Sequence, residues 1–233
     1  YDEVVKKVKS LIRYEGFDPE KISVSSVGYV NVSGLGAEKL LISLADGSAL
    51  PGLLFQPAKT SKHADVVLLL DDKDKTYEMG NEGIIRKESA KGNIVLTVDL
   101  SNRGELLLKK GKYMNDGFAD AYLALYNGKT VFTWQVENIM ACVAGLKKYA
   151  AAKKRSIKVI AKGELCPVAI HAAFLDKNID ATELVGPGIR SWEEIVRNPY
   201  IPNGFSYLIP DILQHYDLPD LEKNSGKKFI TIQ

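Results

Sequence analysis

The first 57 residues have the hydrophobic pattern of a helix followed by strands with one face in solvent. In "YDEVVKKVKSLIRYEG" the apolar residues recur at helical spacing, which predicts an amphipathic helix that ends at Gly16. "KISVSSVGYVNV" alternates apolar and polar residues as a half-solvated strand does. "KLLISLADGSALPGLLFQP" predicts two more strands joined by a turn at 45–48. We therefore expect an antiparallel start to a sheet.

From residue 65 onward the strands change character. "DVVLLLDD" (65–72) and "NIVLTVDL" (93–100) are continuous apolar runs, typical of strands covered on both faces, and residues 81–91 between them can be helical. The later elements predicted from the same patterns are a helix over 133–154, a strand at 156–161, a helix from about Pro167 to Phe174, strands at 181–186 and 227–232, and short helices in "SWEEIVRN" and "FSYLIPDILQHYD". This alternation predicts an α/β fold with a mainly parallel sheet, antiparallel first strands and helices on both faces.

Composition narrows the class of protein. A chain of 233 residues, 45% hydrophobic, predicts a single globular domain over 1–233, with 1–37 as its N-terminal helix and lead-in strand. The chain has 31 Lys and Arg and 29 Asp and Glu, and because its net charge is close to zero we expect no nucleic-acid partner. The absence of a long apolar run predicts no membrane partner. Cys142 and Cys166 are too few for a disulfide scaffold. The chain begins at Tyr1 without a methionine or signal peptide, so we expect it to be part of a longer protein of unknown compartment.

Charged residues follow the predicted parallel strands, where ligand sites in such sheets lie. Asp71 and Asp72 come after the first buried strand, and we expect solvated charges there. Asp99 and Arg103 follow the second, and we expect them to pair and brace the loop. These four residues, with Glu164 after a later strand, are the candidate binding residues.

Six segments resemble the α/β-hydrolase domains of acetylxylan-esterase-like bacterial proteins, in the same order and spacing. They are "DGSALPGLLFQPA", "VVLLLDD", "VDLSNRGE", "GELCPVAIHAAFLD", "RSWEEIV" and "IPDILQHYDLPDLE", and the resemblance runs from about residue 38 to the end. It implies an α/β-hydrolase-like three-layer sandwich and a setting in polysaccharide degradation, in the periplasm or outside the cell. Several such proteins carry two hydrolase-like domains, and this chain is similar to the second kind, which often lacks the serine.

The stretch "VIAKGELCPVAIHAAFLD" (159–176) has the outline of the strand, sharp turn and helix that carry a nucleophilic serine in this family. Aligned with the pattern G-x-S-x-G, residues 161–165, which we call the elbow, read Ala-Lys-Gly-Glu-Leu, so Gly163 stands where the serine would be. Glycine accepts the strained backbone of that turn. We therefore predict a positive φ at Gly163 and a degenerate catalytic turn.

Two residues are left as candidate catalytic groups, Cys166 as a nucleophile and His171 as a base. Cys166 lies at the start of the next helix, where the helix dipole could favour a thiolate, but it comes three residues too late. A cysteine among apolar helix residues is more often a small buried hydrophobe. His63, His171 and His215 are the only histidines, and none follows the last predicted strand, where this fold places its base.

The sequence contains no spacing typical of a metal or cofactor site, and we expect neither. Two hypotheses therefore follow. The first is a non-catalytic hydrolase-like domain that accompanies an active esterase domain in the same parent protein, with carbohydrate as a further partner. The second is an active carbohydrate esterase that hydrolyses acetyl esters, with its catalytic triad incomplete in this chain or misassigned above.

Overall fold

An eight-stranded mixed sheet forms the centre of the computed structural model, which describes residues 2–32, 34–57, 59, 64–108, 118–149, 152–198, 204–207 and 209–232. The strands are β1 (Ser23–Val32), β2 (Leu35–Ser43), β3 (Ala49–Phe55), β4 (Val66–Leu70), β5 (Ile94–Val98), β6 (Ile157–Lys162), β7 (Ala181–Val185) and β8 (Lys228–Ile232). Their order across the sheet is β1-β2-β3-β5-β4-β6-β7-β8. The first three strands and β5 pair antiparallel, and all other pairs are parallel, as the sequence predicted.

Helices cover both faces of this sheet. They are α1 (Asp2–Leu11), α2 (Ile84–Ala90), α3 (Phe118–Tyr126), α4 (Val131–Lys148), α5 (Cys166–Leu175), α6 (Trp192–Arg197) and α7 (Leu218–Asn224). Alternate residues of β4 point to opposite sides: Leu68 belongs to the larger core cluster with α4 and α5, and Leu69 to a smaller one that includes Ile85 of α2. This two-sided burial explains why β4 and β5 are continuous apolar runs. No helix among the described residues combines the length and apolar character needed to cross a membrane.

The helices depart from the sequence prediction at several points. α1 ends at Leu11 rather than at Gly16, and Arg13, two residues later, has a left-handed φ of +54° that does not continue a helix. α3 was not predicted at all. α4 begins at Val131, two residues before the predicted start, because Thr130 caps it, and it ends at Lys148 rather than at 154. In the segment 205–217 the described residues form short 3-10 turns, Gly204–Tyr207 and Ile212–Gln214, in place of a helix.

Candidate functional site

The elbow has the geometry that the sequence predicted. β6 ends at Lys162, a 3-10 turn spans Gly163–Leu165, and α5 begins at Cys166. Gly163 has a φ of +54°, a left-handed conformation that costs other residues free energy. The prediction of a positive φ at Gly163 is confirmed. The backbone therefore makes the sharp strand-to-helix turn of a nucleophile elbow although its central residue has no side chain.

The space in front of Gly163 is filled by the carboxylate of Asp72. A Cβ built on Gly163 would lie 1.9 Å from Asp72 Oδ2 and 2.7 Å from its Cγ. The same oxygen accepts a hydrogen bond of 3.3 Å from the backbone N–H of Glu164. In an active elbow, the N–H of the residue after the nucleophile binds the oxyanion of the reaction. Asp72 thus lies where a nucleophile would begin and holds the N–H that an oxyanion would need.

Glu164 is held on two further sides. Its side chain forms an ion pair of 2.6 Å with Arg103 Nη2, and its carbonyl accepts a hydrogen bond of 3.0 Å from the hydroxyl of Tyr207. Three of the five candidate binding residues, Asp72, Glu164 and Arg103, therefore meet at the elbow. A fourth, Asp99, lies in the loop after β5. Tyr207 was missed, since an isolated tyrosine carries no sequence signal for such a contact.

The expected pair between Asp99 and Arg103 is wrong. Asp99 is 2% exposed and is bound instead by Lys75, whose N–H donates to Oδ1 at 2.8 Å and whose ammonium lies 2.6 Å from Oδ2. Lys75 also pairs with Glu105. Arg103, whose backbone is extended before the turn at Gly104, pairs with Glu164 instead. The function of Asp99 in the structure is to hold the two loops after β4 and β5 together.

Asp71 is not a solvated charge, contrary to the expectation. It is 4% exposed, and the ammonium of Lys162 lies 3.0 Å from its Oδ2. Lys162 also binds Glu78, so one cation serves two carboxylates. Burial raises the pKa of Asp71 above its ordinary value, and the hydrogen bond from the Lys73 N–H and the Lys162 ammonium offset only part of this. Asp71 points away from the solvent and braces the end of β6.

Cys166 is a buried thiol. Its Sγ lies 3.5 Å from the carbonyl oxygen of Ala161, and burial raises the pKa of the thiol more than the nearby Arg190 lowers it. The thiolate is the reactive form of cysteine, so this environment suppresses its reactivity. The structure therefore places Cys166 in the core, behind the elbow.

We expect neither cysteine to react with Ellman's reagent in the folded protein, because both thiols are buried and burial raises both pKa values. Thiol release followed at 412 nm should be near zero in buffer and reach both thiols in 6 M guanidinium chloride. The variants Cys166→Ala and Cys142→Ala assign any residual signal. A native thiol that reacts within minutes and disappears in Cys166→Ala would contradict the burial of Cys166.

His171 is fully buried on α5, and both its ring nitrogens are engaged. Nδ1 lies 2.8 Å from the carbonyl oxygen of Pro167, and Nε2 lies 2.8 Å from the hydroxyl of Tyr216. Since a carbonyl only accepts, Nδ1 carries the proton and Nε2 accepts from Tyr216. Burial lowers the pKa of His171 to about 4. His171 is therefore a neutral core residue packed against Phe132, with no nitrogen left for a nucleophile.

The buried imidazole predicts a pH-dependent stability. The folded pKa of about 4 lies below the unfolded value near 6.5, so the unfolded chain binds the proton first and the free energy of unfolding falls as the pH drops through this window. Between pH 7 and pH 5 we expect a loss of roughly 2 kcal/mol from His171. Urea unfolding across this range measures the loss, and His171→Gln should show a flatter profile. Parallel profiles would mean that His171 does not titrate this way.

Of the other two histidines, the structure describes only His215. His215 follows the 3-10 turn Ile212–Gln214 on the surface, as expected for a helix end or turn. His63 lies outside the described residues. Within the described ranges, no group of three or more His, Cys, Asp or Glu side chains is arranged to hold a metal ion.

The sequence matches no protein-family model and no curated protein. Solved structures do match. A Bacteroides fragilis protein whose name assigns it to the acetyl xylan esterases superposes with a TM-score of 0.76 at 14% identity, over 99% of this chain and 66% of that one. An acetyl xylan esterase from Paenibacillus sp. R4 gives 0.64 at 13% identity, over 99% and 78%. A glucuronoyl esterase from Solibacter usitatus gives 0.61 at 14% identity, over 97% and 72%.

These identities are too low to transfer an activity, but the superpositions cover nearly the whole of this chain. The superpositions, together with the order of the strands, the antiparallel first strands and the sharp turn after β6, identify the fold. The chain has the α/β-hydrolase fold, in the form seen in acetyl xylan esterases.

Proposed function

We propose that this chain is a non-catalytic α/β-hydrolase domain. The observation that carries the proposal is the position of Asp72, whose carboxylate fills the space in front of Gly163 and accepts the Glu164 N–H. Ester hydrolysis in this fold requires a nucleophile, a base within hydrogen-bond reach and donors for the oxyanion. At this elbow, Gly163 has a hydrogen atom where the nucleophilic side chain would be. The Glu164 N–H, which would bind the oxyanion, already donates to the Asp72 carboxylate.

The two substitutes considered from the sequence do not restore the missing chemistry. Cys166 is a buried thiol with a raised pKa, and His171 is a neutral imidazole whose nitrogens face Pro167 and Tyr216. Loss of the nucleophile alone can remove on the order of 10⁶ in turnover. The described part of the chain thus offers no base-activated nucleophile at the elbow.

The role we propose is that of an accessory domain beside an active carbohydrate esterase in a longer protein, as in the serine-less second domains that the sequence resembles. The names of the Bacteroides fragilis and Paenibacillus proteins assign both to the acetyl xylan esterases, which supports acetylated polysaccharide as the setting. The chain spans 66% of the length of the Bacteroides fragilis protein. The alternative is an active acetyl esterase, which an assay of acetate release distinguishes from the accessory domain.

We expect no release of acetate above background from 4-nitrophenyl acetate or acetylated xylan. The assay should compare the unchanged chain, Cys166→Ala and Gly163→Ser, with an acetyl xylan esterase as the positive control. Gly163→Ser should remain inactive because no imidazole of the described residues faces the elbow and Asp72 occupies the space that the new side chain needs. Saturable hydrolysis that Cys166→Ala or His171→Gln abolishes would make the chain an esterase and refute the proposal.

A further inference from the structure

A polar cleft of about 500 Å³ lies at the same edge of the sheet as the elbow. It is bounded by the turn between β2 and β3, the loop after β5 and the first turns of α4. The register Gly52 to Val98 places the start of β3 beside the carboxyl end of β5, which brings the β2–β3 turn to this edge. The elbow follows β6, which is separated from β5 by β4, so the cleft is a neighbour of the elbow and uses other residues. Its volume falls in the range of small-ligand sites.

One face of α4 supplies the floor of the cleft. Trp134, Glu137 and Asn138 stand at positions i, i+3 and i+4, so they lie on the same side of the helix. Asn138 is 4% exposed, and its Oδ1 accepts the N–H of Ser101 at 2.8 Å. No hydrogen bond joins its Nδ2 group to a described residue, and the side chain lines the cleft. The amide thus presents two N–H donors to the cleft.

Acceptor oxygens also line the cleft. Asp46 uses Oδ1 to accept both the N–H of Ser48 at 2.9 Å and its hydroxyl at 2.6 Å, which leaves Oδ2 for a ligand. Burial would raise the pKa of Asp46, but these hydrogen bonds outweigh it and lower the pKa, so the group is ionised near neutral pH. Glu137 is bound by Lys129 through both oxygens, at 2.6 and 2.8 Å. Two carboxylates against one ammonium leave the cleft with a net negative charge.

We propose that this cleft binds a neutral carbohydrate. A sugar hydroxyl both donates and accepts, which matches a cleft lined by the amide of Asn138 and the carboxylate of Asp46. Trp134 adds an apolar ring with its own N–H, the kind of surface that can contact the hydrophobic face of a sugar ring. The excess negative charge disfavours uronates and phosphates. The cleft shares no residue with the elbow, so this proposal stands whether or not the domain is catalytic.

Calorimetric titration with xylotriose and cellotriose tests the proposal, with trigalacturonic acid as an anionic probe of equal length. We expect saturable binding of at least one neutral trisaccharide and binding of the anion at least tenfold weaker. Trp134→Ala should weaken the binding by tenfold or more. Asn138→Asp keeps an acceptor for Ser101 and replaces the amide donors by a carboxylate oxygen, so it should weaken the binding; urea unfolding of the variant checks that it is folded. Tyr29→Ala, which changes an exposed aromatic residue on the distant strand β1, should bind as the unchanged chain does.

The absence of saturable binding of both neutral trisaccharides would overturn the proposal, and so would binding that survives both Trp134→Ala and Asn138→Asp. Equal or tighter binding of trigalacturonic acid would overturn the assignment to neutral sugars. Acetate release measured on the same samples separates the two proposals: hydrolysis that persists in Trp134→Ala contradicts the non-catalytic function and leaves the cleft proposal intact.

Discussion

Replacement of Lys75 by Met is expected to lower the free energy of unfolding by about 3–5 kcal/mol, because it leaves a buried carboxylate without its cation. Asp99 is 2% exposed and receives the Lys75 ammonium at 2.6 Å. The backbone N–H groups of Lys75 and Glu105 also donate to Asp99, so the carboxylate cannot turn toward solvent without breaking both bonds. Methionine keeps most of the side-chain volume and removes only the charge. Urea unfolding at pH 7 measures the change.

Lys73→Met is the matched control in the same loop. The Lys73 side chain is 63% exposed and lies 4.0 Å from Asp72, so its loss should change the stability by less than about 0.5 kcal/mol. The double variant Lys75→Met/Asp99→Asn should recover part of the loss because no unpaired charge remains buried. Similar stabilities for Lys73→Met and Lys75→Met would show that the pair between Lys75 and Asp99 contributes little.

Gly163→Ala is expected to destabilise the fold by about 3 kcal/mol, the sum of left-handed backbone strain and overpacking against Asp72. The new Cβ would lie 1.9 Å from the Asp72 carboxylate, which must leave the Glu164 N–H. Thermal and urea unfolding of the variant give the change. Asp72→Ala in the Gly163→Ala background should restore at least about 1 kcal/mol, as coupled neighbours do.

Gly186→Ala separates the two contributions. Gly186 has a φ of +71°, close to that of Gly163, but a Cβ there would meet nothing within 4 Å. This variant should therefore show only the backbone strain, about 1 kcal/mol. If Gly163→Ala and Gly186→Ala cost the same, Asp72 does not fill the space in front of the elbow in solution.

The centre of the sheet could be predicted because β4 and β5 are buried on both faces and so read as nearly unbroken apolar runs. α3 could not. Its sequence from Phe118 to Tyr126 is apolar at almost every position, so it has no helical period, and its buried positions are Asp120 and Ala124. Several of its large apolar side chains, such as Tyr122 and Leu125, remain exposed. The apolar positions of α3 therefore do not mark its buried face.

At the elbow, the backbone conformation of Gly163 could be predicted from the sequence, but the ion-pair partners of the charged side chains could not. The positive φ at Gly163 could be predicted because glycine is the residue that tolerates such a turn. The partners of the acids lie far away in sequence: Arg103 pairs with a residue 61 positions later, and Lys75 with one 24 positions later. No local pattern specifies such pairs, since they depend on which loops the sheet order brings together. The expectation for Asp99 and Arg103 was wrong for this reason.

The Asp72 carboxylate acts as an intramolecular ligand of the Glu164 N–H. The concentration of Asp72 at the Glu164 N–H is set by the geometry of a short loop, and for short tethers the effective concentration is millimolar or higher. A free acid such as acetate has to exceed that value before it can displace Asp72. The N–H of the elbow is therefore insensitive to small carboxylic acids at micromolar concentrations in the surrounding solution.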